Sequence, residues 1–299
     1  MWKLIFCFGI FILNIVNAVD IWEFSHKHHK EKVCYGTRMG FSYSGSHEYH
    51  YESLRRRYDE CTHVIGNLEI TNLNNGNVTY DLGFLSKVKV VTGYVLLGLL
   101  NVETIPLKRL RFIRADEMMK IGSKEYGLVV ALTSEGTPTT ENPNPGLKEI
   151  QLQSLREISQ GKVMITQNPT LCYMDTIDWS VIVNGSVEIK DTGNNALCGQ
   201  CHKSCKDSSG VSHCWGHSSN MCQNTHHVQC DSECTGRCFG EGPTECCHEQ
   251  CAIGCWNVED TDCVMCRNYQ WKGHCVPECP IGWYAKAQDC IEIDKNFVG

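Results

Sequence analysis

The chain has 299 residues, 42% of them hydrophobic, with 27 basic and 34 acidic side chains and a formal net charge of −7 at pH 7. That length allows one globular domain beside a smaller region. The acidic balance argues against a nucleic-acid partner, whose phosphates are held by Lys and Arg, and 21 cysteines argue against a reducing compartment.

At the start of the chain, Lys3 precedes the apolar run Leu4 to Val16, and the small residues Val16 and Ala18 supply a cleavage site. The run is interrupted by Asn14 and is shorter than the roughly 20 residues of a membrane span, so residues 1–18 are expected to be a signal peptide and Val19 the first residue of a secreted, extracellular product. No later segment is apolar enough for a membrane span, and Ile291 to Gly299 lacks the hydrophobic tail of a lipid-anchor signal. Residues 19–33 read as a flexible N-terminus. Its run His26-Lys27-His28-His29-Lys30 suits a solvated tail, or alternatively metal scavenging or contact with an anionic polysaccharide.

Residues 34–198 hold only Cys34, Cys61, Cys172 and Cys198 and have the composition of a normal core. Glu48 to Tyr58 is the expected capping helix, with Leu54 and Tyr58 on one face beside Tyr51. Strand-like runs follow: Val64 to Ile70, Val88 to Gly93 with Tyr94 to Leu97, Leu110 to Ile113, Tyr126 to Leu132, Leu147 to Leu152 and Val163 to Ile165. Each is β-branched or leucine-rich and bounded by Gly, Asn or Pro. Leucine-anchored segments return about every 20 to 30 residues, and Leu107-x-x-Leu110-x-x-Ile113 and Leu152-x-x-Leu155-x-x-Ile158 are two copies of one step. The recurrence predicts a mainly β fold, a right-handed β-helix or solenoid whose coils bury their apolar faces on one another; a β-sandwich is the alternative. The sequons Asn77-Val78-Thr79 and Asn184-Gly185-Ser186 suit glycosylated turns of a secreted glycoprotein.

Residues 199–299 differ. From Cys198 to Cys290 there are 17 cysteines, and the last leucine of the chain is Leu197, so this region is expected to be a disulfide-rich rod and not an aliphatic domain. Removing Cys7 with the leader leaves 20 cysteines, enough for ten bridges of undetermined connectivity. A zinc reading of Cys198-x-x-Cys201 and Cys263-x-x-Cys266 with the nearby histidines is outweighed by pairing of thiols in an oxidising compartment, so no metal and no cofactor are expected. Nor is catalysis: the chain lacks Gly-x-Ser-x-Gly, His-Glu-x-x-His and a phosphate-cradling glycine loop, and acidic pairs such as Asp116-Glu117 are ordinary surface turns.

Several stretches in order carry a resemblance: Lys32 to Thr37, Cys61 with Gly66 to Thr71, Val91 to Leu96, Ile105 to Leu107, Arg111 to Arg114, Asn168-Pro169-x-Leu171-Cys172 with Ile177-Asp178-Trp179, then Cys214-Trp215-Gly216, Cys238-x-Gly240, Cys246-Cys247-His248 and Cys266-Arg267-Asn268. Together they resemble the epidermal growth factor receptor family, in its first receptor L domain and the furin-like cysteine-rich domain that follows. The resemblance implies the bridges Cys34-Cys61, Cys172-Cys198, Cys201-Cys214, Cys205-Cys222, Cys230-Cys238, Cys234-Cys246, Cys247-Cys255, Cys251-Cys263, Cys266-Cys275 and Cys279-Cys290. It leaves a second L domain, a membrane helix and a tyrosine kinase unmatched, and the ten residues between Cys279 and Cys290 look like a deleted dimerisation arm. The insulin receptor, which carries no such arm, is the runner-up resemblance.

What the resemblance implies for function is a kinase-less decoy that binds a growth factor of the epidermal growth factor type and dampens receptor signalling. Its ligand edge would comprise Phe41, Ser42 and Tyr43, with Asn72 and Leu99 beside them. A single L domain offers only one of the two jaws that hold ligand in such receptors, which points to a specialised face or to self-association. Docking on a full receptor ectodomain and binding of an insulin-like peptide are the alternatives.

Overall fold

The computed structural model describes residues 31–75, 78–134, 146–193, 198–224 and 230–294. The leader expected over 1–18, nearly all of the segment 19–33 and the sequon residue Asn77 lie outside the described residues. In chain order the first part contains β1 (Val33–Tyr35), α1 (His47–Tyr58), β2 (His63–Ile65), β3 (Leu68–Leu73), β4 (Val90–Val91), β5 (Val95–Leu100), β6 (Thr104–Ile105), β7 (Phe112–Ile113), β8 (Met119–Ile121), β9 (Lys124–Ala131), β10 (Glu149–Ile150), β11 (Glu157–Ile158), β12 (Lys162–Thr166) and β13 (Val187–Ile189). The cysteine-rich part adds β14 (Cys251–Cys255), β15 (Cys263–Cys266), β16 (Tyr269–Trp271), β17 (His274–Val276), β18 (Trp283–Lys286) and β19 (Asp289–Glu292). The molecule is mainly β and disulfide-rich.

Helix α1 starts where Ser46 caps it, accepting the Tyr49 N–H, and it carries Glu48 in its first turn and Arg55, Arg56 and Arg57 in its last, as the helix dipole favours. It buries Leu54 and Tyr58 together with His50, a residue the apolar pattern does not single out.

Strands β1-β2-β4-β7-β11 form one sheet and β3-β5-β9-β12-β13 a second, with β6 and β10 paired between them in sequence. Their ladders are parallel, apart from β8, which folds back antiparallel on β9. Parallel pairing of consecutive strands needs a crossover between them and does not fit the antiparallel pairing of a sandwich. From β2 to β5 the strands alternate between the two sheets, and β7, β9, β11 and β12 continue the alternation. The run Val64 to Ile70, expected as one strand, is therefore divided: Gly66 takes φ 89°, Asn67 Oδ1 accepts the Tyr94 N–H at 3.1 Å, and the backbone turns from β2 into β3.

The return length also departs from 20 to 30 residues. From His63 to Val90 is 27 residues and from Val90 to Phe112 is 22, but from Phe112 to Glu157 is 45, because the β8–β9 hairpin and the stretch after Ala131 are inserted there. The two Leu-x-x-Leu steps sit at matching positions: Leu107, Leu110 and Ile113, and Leu152, Leu155 and Ile158, are all buried, and Glu157 and Ile158 pair with Phe112 and Ile113. Leu68, Ile70, Val95, Leu97, Leu128, Val130, Val163 and Ile165 face them from the second sheet in one continuous core. Each such side chain contributes on the order of 1.5–3 kcal/mol by leaving water.

The cysteine-rich part is held by Cys201–Cys214, Cys205–Cys222, Cys230–Cys238, Cys234–Cys246, Cys247–Cys255, Cys251–Cys263, Cys266–Cys275 and Cys279–Cys290. Cys34–Cys61 and Cys172–Cys198 join ends of the first part. Bridges closing loops this short remove roughly 2–4 kcal/mol of unfolded-chain entropy each. Trp215 and Met221, on the far side of residue 198, nevertheless lie in the main core, with Trp215 edge-on to Trp179 at 5.6 Å.

A buried carboxylate joins the two parts. Glu157 on β11 accepts from Arg237 Nε at 3.3 Å, an Arg267 guanidinium nitrogen at 3.1 Å, the Ile253 N–H at 2.9 Å and the Ser159 hydroxyl at 2.8 Å. Burial pushes its carboxyl pKa up, but the charges of Arg237 and Arg267, with the backbone and hydroxyl bonds, outweigh burial and hold it below the ordinary value. Around it Val90 and Phe112, on the outer face of the first sheet, are covered by Ala252, Ile253 and Met265.

Candidate ligand-binding face

Among the described residues, the outer face of the second sheet has no such cover from the cysteine-rich part. Alternation along β5, β9 and β12 sends Leu96, Val129, Ala131 and Met164 outward, where they cluster with Tyr94 and Tyr126. Phe41 packs on this cluster from one side, and Met119 and Ile121 of the β8 hairpin from the other. The result is an apolar cluster closed over by two short flaps: Tyr94, Leu96, Tyr126, Val129 and Ala131 are buried, and Met164, Phe41, Met119 and Ile121 are only partly buried.

The Phe41 flap is latched from below. Glu69, completely buried on β3, accepts the Met39 N–H at 2.6 Å, the Gly40 N–H at 3.0 Å and the Tyr94 hydroxyl at 2.7 Å. Burial, reinforced by that bond to the carboxylate, pushes the Tyr94 hydroxyl pKa up. The Thr71 hydroxyl donates to Gly40 O, and the Ser42 N–H closes a turn on Met39 O. Phe41 then lies over Gly98, where any Cβ would come within 2.5 Å of the ring, so glycine is what lets the flap sit down on the sheet. Tyr43 stacks on His50 with centroids 4.2 Å apart and donates to Ser46 O. His50 Nε2 meets Thr71 O at 2.9 Å, and His47 Nδ1 meets Asn72 O at 3.0 Å. Burial pushes the His50 pKa down, against the pull of the Thr71 carbonyl.

Of the residues singled out from sequence, Phe41 and Tyr43 flank this face, Ser42 between them is exposed, and the N–H and carbonyl groups of Phe41 and Tyr43 make no hydrogen bond among the described residues. Asn72 and Leu99 are cross-strand neighbours, since Thr71 pairs with Gly98 and Leu73 with Leu100. Asn72 is buried and turns its amide Nδ2 onto Thr71 Oγ1, so its side chain is engaged within the chain, whereas Leu99 remains partly open. Asn184 is exposed on the bend before β13, well along the chain from this face.

Leu132 is a residue that sequence reasoning missed. It follows Ala131, which pairs with Gly98, so it stands next to Leu99, and it is 39% exposed. Asn72, Leu99, Leu132, Gln167 and Asp191 all take positive φ, from 52° to 60°, near the end of each long strand of the second sheet: within β3 and β5, and one or two residues past β9, β12 and β13. A left-handed residue without glycine costs on the order of 1 kcal/mol, and here it recurs near corresponding ends of the strands of the second sheet. The signal was present in the aligned strand ends Thr71-Asn72-Leu73, Gly98-Leu99-Leu100 and Ala131-Leu132-Thr133, which only the register makes visible.

Among the described residues no group of three His, Cys, Asp or Glu side chains could hold a metal ion, and no helix is long and apolar enough to cross a membrane. The face offers apolar contact and open backbone groups, the means of recognising a folded polypeptide.

The sequence model of the Receptor L domain matches residues 60–183, and that of the Furin-like cysteine rich region matches residues 187–297. The chain is 37% identical over 258 residues to the mouse receptor tyrosine-protein kinase erbB-2, covering 83% of this chain and 20% of that protein. It is 34% identical over 256 residues to the epidermal growth factor receptor of Drosophila melanogaster, covering 84% and 17%. Over 271 residues it is 39% identical to the human receptor tyrosine-protein kinase erbB-4, covering 89% and 19%. The chain thus spans about a fifth of the length of these relatives.

Proposed function

This chain belongs to the epidermal growth factor receptor family, in the receptor L and furin-like part of its extracellular region, and on that premise we propose that it binds a growth factor of the epidermal growth factor type through the outer face of β5, β9 and β12. The observation that carries this reading is the unequal treatment of the two sheets among the described residues: the apolar outer face of one is covered by Ala252, Ile253 and Met265 of the cysteine-rich part, and that of the other by two short, partly exposed flaps. The alternating parallel strands are read here as successive coils of a right-handed solenoid. Its left-handed turns set Leu99 and Leu132 side by side. The ligand would add backbone pairing at Phe41 to Tyr43 and rest apolar side chains on Leu99, Leu132 and Met164. Asn72 contributes its position at the end of β3 and not its amide, which Thr71 occupies.

The protein is read as a secreted, extracellular glycoprotein with no catalytic activity, carrying a glycan at Asn184 and at Asn77. In this reading it would hold ligand away from signalling receptors and dampen them as a decoy. A second reading, docking on a receptor ectodomain or on another copy through the cysteine-rich part, is favoured by Tyr284, Ile291 and Ile293, which are 49%, 38% and 45% exposed on the β18–β19 hairpin.

Flowing an epidermal-growth-factor-like ligand, an insulin-like peptide and a receptor ectodomain over the immobilised protein separates these readings. Binding of the first, weakened by Leu99→Asp and Leu132→Asp, supports the growth-factor reading. Binding of the ectodomain alone supports the second, and silence from all three at micromolar concentration removes both.

A further inference from the structure

An open groove of about 750 Å³ lies not on the apolar face but at the opposite end of the second sheet. That is ample for a small ligand of one or two rings. Its wall is built where the β8–β9 turn, the turn before β12 and the bend before β13 lie against one another: Lys120, Ser123 and Lys124 from the first, Gln160 and Lys162 from the second, and Asn184 from the third. Glycines make the close approach of these turns workable. A Cβ on Gly185 would fall 2.5 Å from Gly161 O, and one on Gly161, which has φ 77°, would fall 2.6 Å from Gly127 N.

The polar lining is balanced and not cationic. Lys124 pairs with Glu188 at 2.7 Å and Lys120 with Glu125 at 3.3 Å, so most of the positive charge is neutralised and the groove offers donors and acceptors side by side on a floor that includes Met118. Mixed donors and acceptors around an apolar floor suit a neutral polyhydroxyl ligand, a sugar, better than a polyanion, whose affinity would rest on unpaired cations. The same wall holds the acceptor residue of an Asn-Gly-Ser sequon, exposed on a bend.

We propose that this groove is the seat of the chain's own N-linked glycan at Asn184, whose first sugars lie against Met118, Lys120, Lys124 and Lys162. The inference rests on the reading of the protein as a glycoprotein and is independent of which growth factor it binds. Attachment forms a bond from Asn184 Nδ2 to the anomeric carbon of the first sugar. It breaks that carbon's bond to the pyrophosphate of a lipid-linked oligosaccharide donor, releasing the lipid pyrophosphate and the amide proton. Seated in the groove, the glycan ties the β8 hairpin to the β12 and β13 turns, and so steadies the flap that carries Met119 and Ile121 on the ligand face.

The test uses the full protein secreted from eukaryotic cells. Glycopeptide mass spectrometry first reports occupancy of Asn184; an unoccupied site overturns both the glycoprotein reading at this residue and the seat. With the site occupied, the rate of enzymatic deglycosylation of the folded protein is compared with that of the denatured one. A seated glycan is released roughly tenfold or more slowly from the folded protein, and Lys124→Ala with Lys162→Ala brings the rate close to that of the denatured protein. Hydrogen exchange of residues 119–126 then rises in Asn184→Gln, or in Ser186→Ala where a second variant is wanted. Equal release rates from folded and denatured protein, or exchange at 119–126 unchanged by loss of the glycan, overturn the seat and leave glycosylation standing.

Discussion

Glu69 is a charged side chain with no exposure, and it keeps its place because three donors converge on it, two of them backbone N–H groups of the flap. Removing an acceptor of that kind strands buried donors at about 1–3 kcal/mol each. Glu69→Ala is therefore expected to lower stability by about 2 kcal/mol or more in denaturant unfolding and to raise hydrogen exchange at residues 39–43, with exchange at the Glu157 junction unchanged. Gly98 acts on the same flap from the opposite direction. Gly98→Ala places a methyl 2.5 Å from the Phe41 ring and 2.7 Å from Ala131 O; overpacking of this kind costs about 1–3 kcal/mol. The variant should fold, melt at a lower temperature and bind ligand more weakly than its loss of stability explains.

At the scale of elements, the junction between β11 and the β14–β15 hairpin depends on an ionised Glu157 between two arginines. Its folded pKa is depressed from the ordinary 4.5, so its contribution is complete above that value and is lost as pH falls through the lower folded one. Melting temperature should accordingly drop below about pH 4 in the native chain. In Glu157→Gln it should already be lower at neutral pH, with a weaker acid dependence; an identical acid profile in the variant would remove Glu157 from the explanation.

How much of this was legible in the sequence follows from the kind of residue involved. Leu54 and Tyr58 announced α1, and the Leu107 and Leu152 steps announced two buried segments that pair in parallel, because apolar side chains at regular spacing have to be buried together. His50 and Glu69 gave no such notice: a buried polar residue is justified only by its partners, Thr71 O and the Met39 and Gly40 N–H groups, which come from another turn of the chain. Neither did the break at Gly66-Asn67, since Val64 to Ile70 reads as one strand until Tyr94 arrives to bond Asn67. Leu99 could be singled out through a family resemblance, but its neighbour Leu132 emerges only from strand register.

Over the whole molecule, the cysteine-rich part and the first part are not separable, because Trp215 and Met221 of the former belong to the core of the latter. A fully buried Trp replaced by Ala costs about 3–5 kcal/mol, so Trp215→Ala should destabilise the first part although the substitution lies in the second. Thermal unfolding of the native chain should bring the near-ultraviolet signals of both parts down in one transition; two well-separated transitions would show that the parts fold independently.

A growth factor received on the outer face of the second sheet would leave its footprint in hydrogen exchange measured with and without a saturating epidermal-growth-factor-like ligand. Protection is predicted at residues 39–43, 98–100 and 131–133, with the face covered by Ala252 and Met265 unchanged. Protection confined to the β16–β19 sheet, or none at saturating ligand, would contradict it.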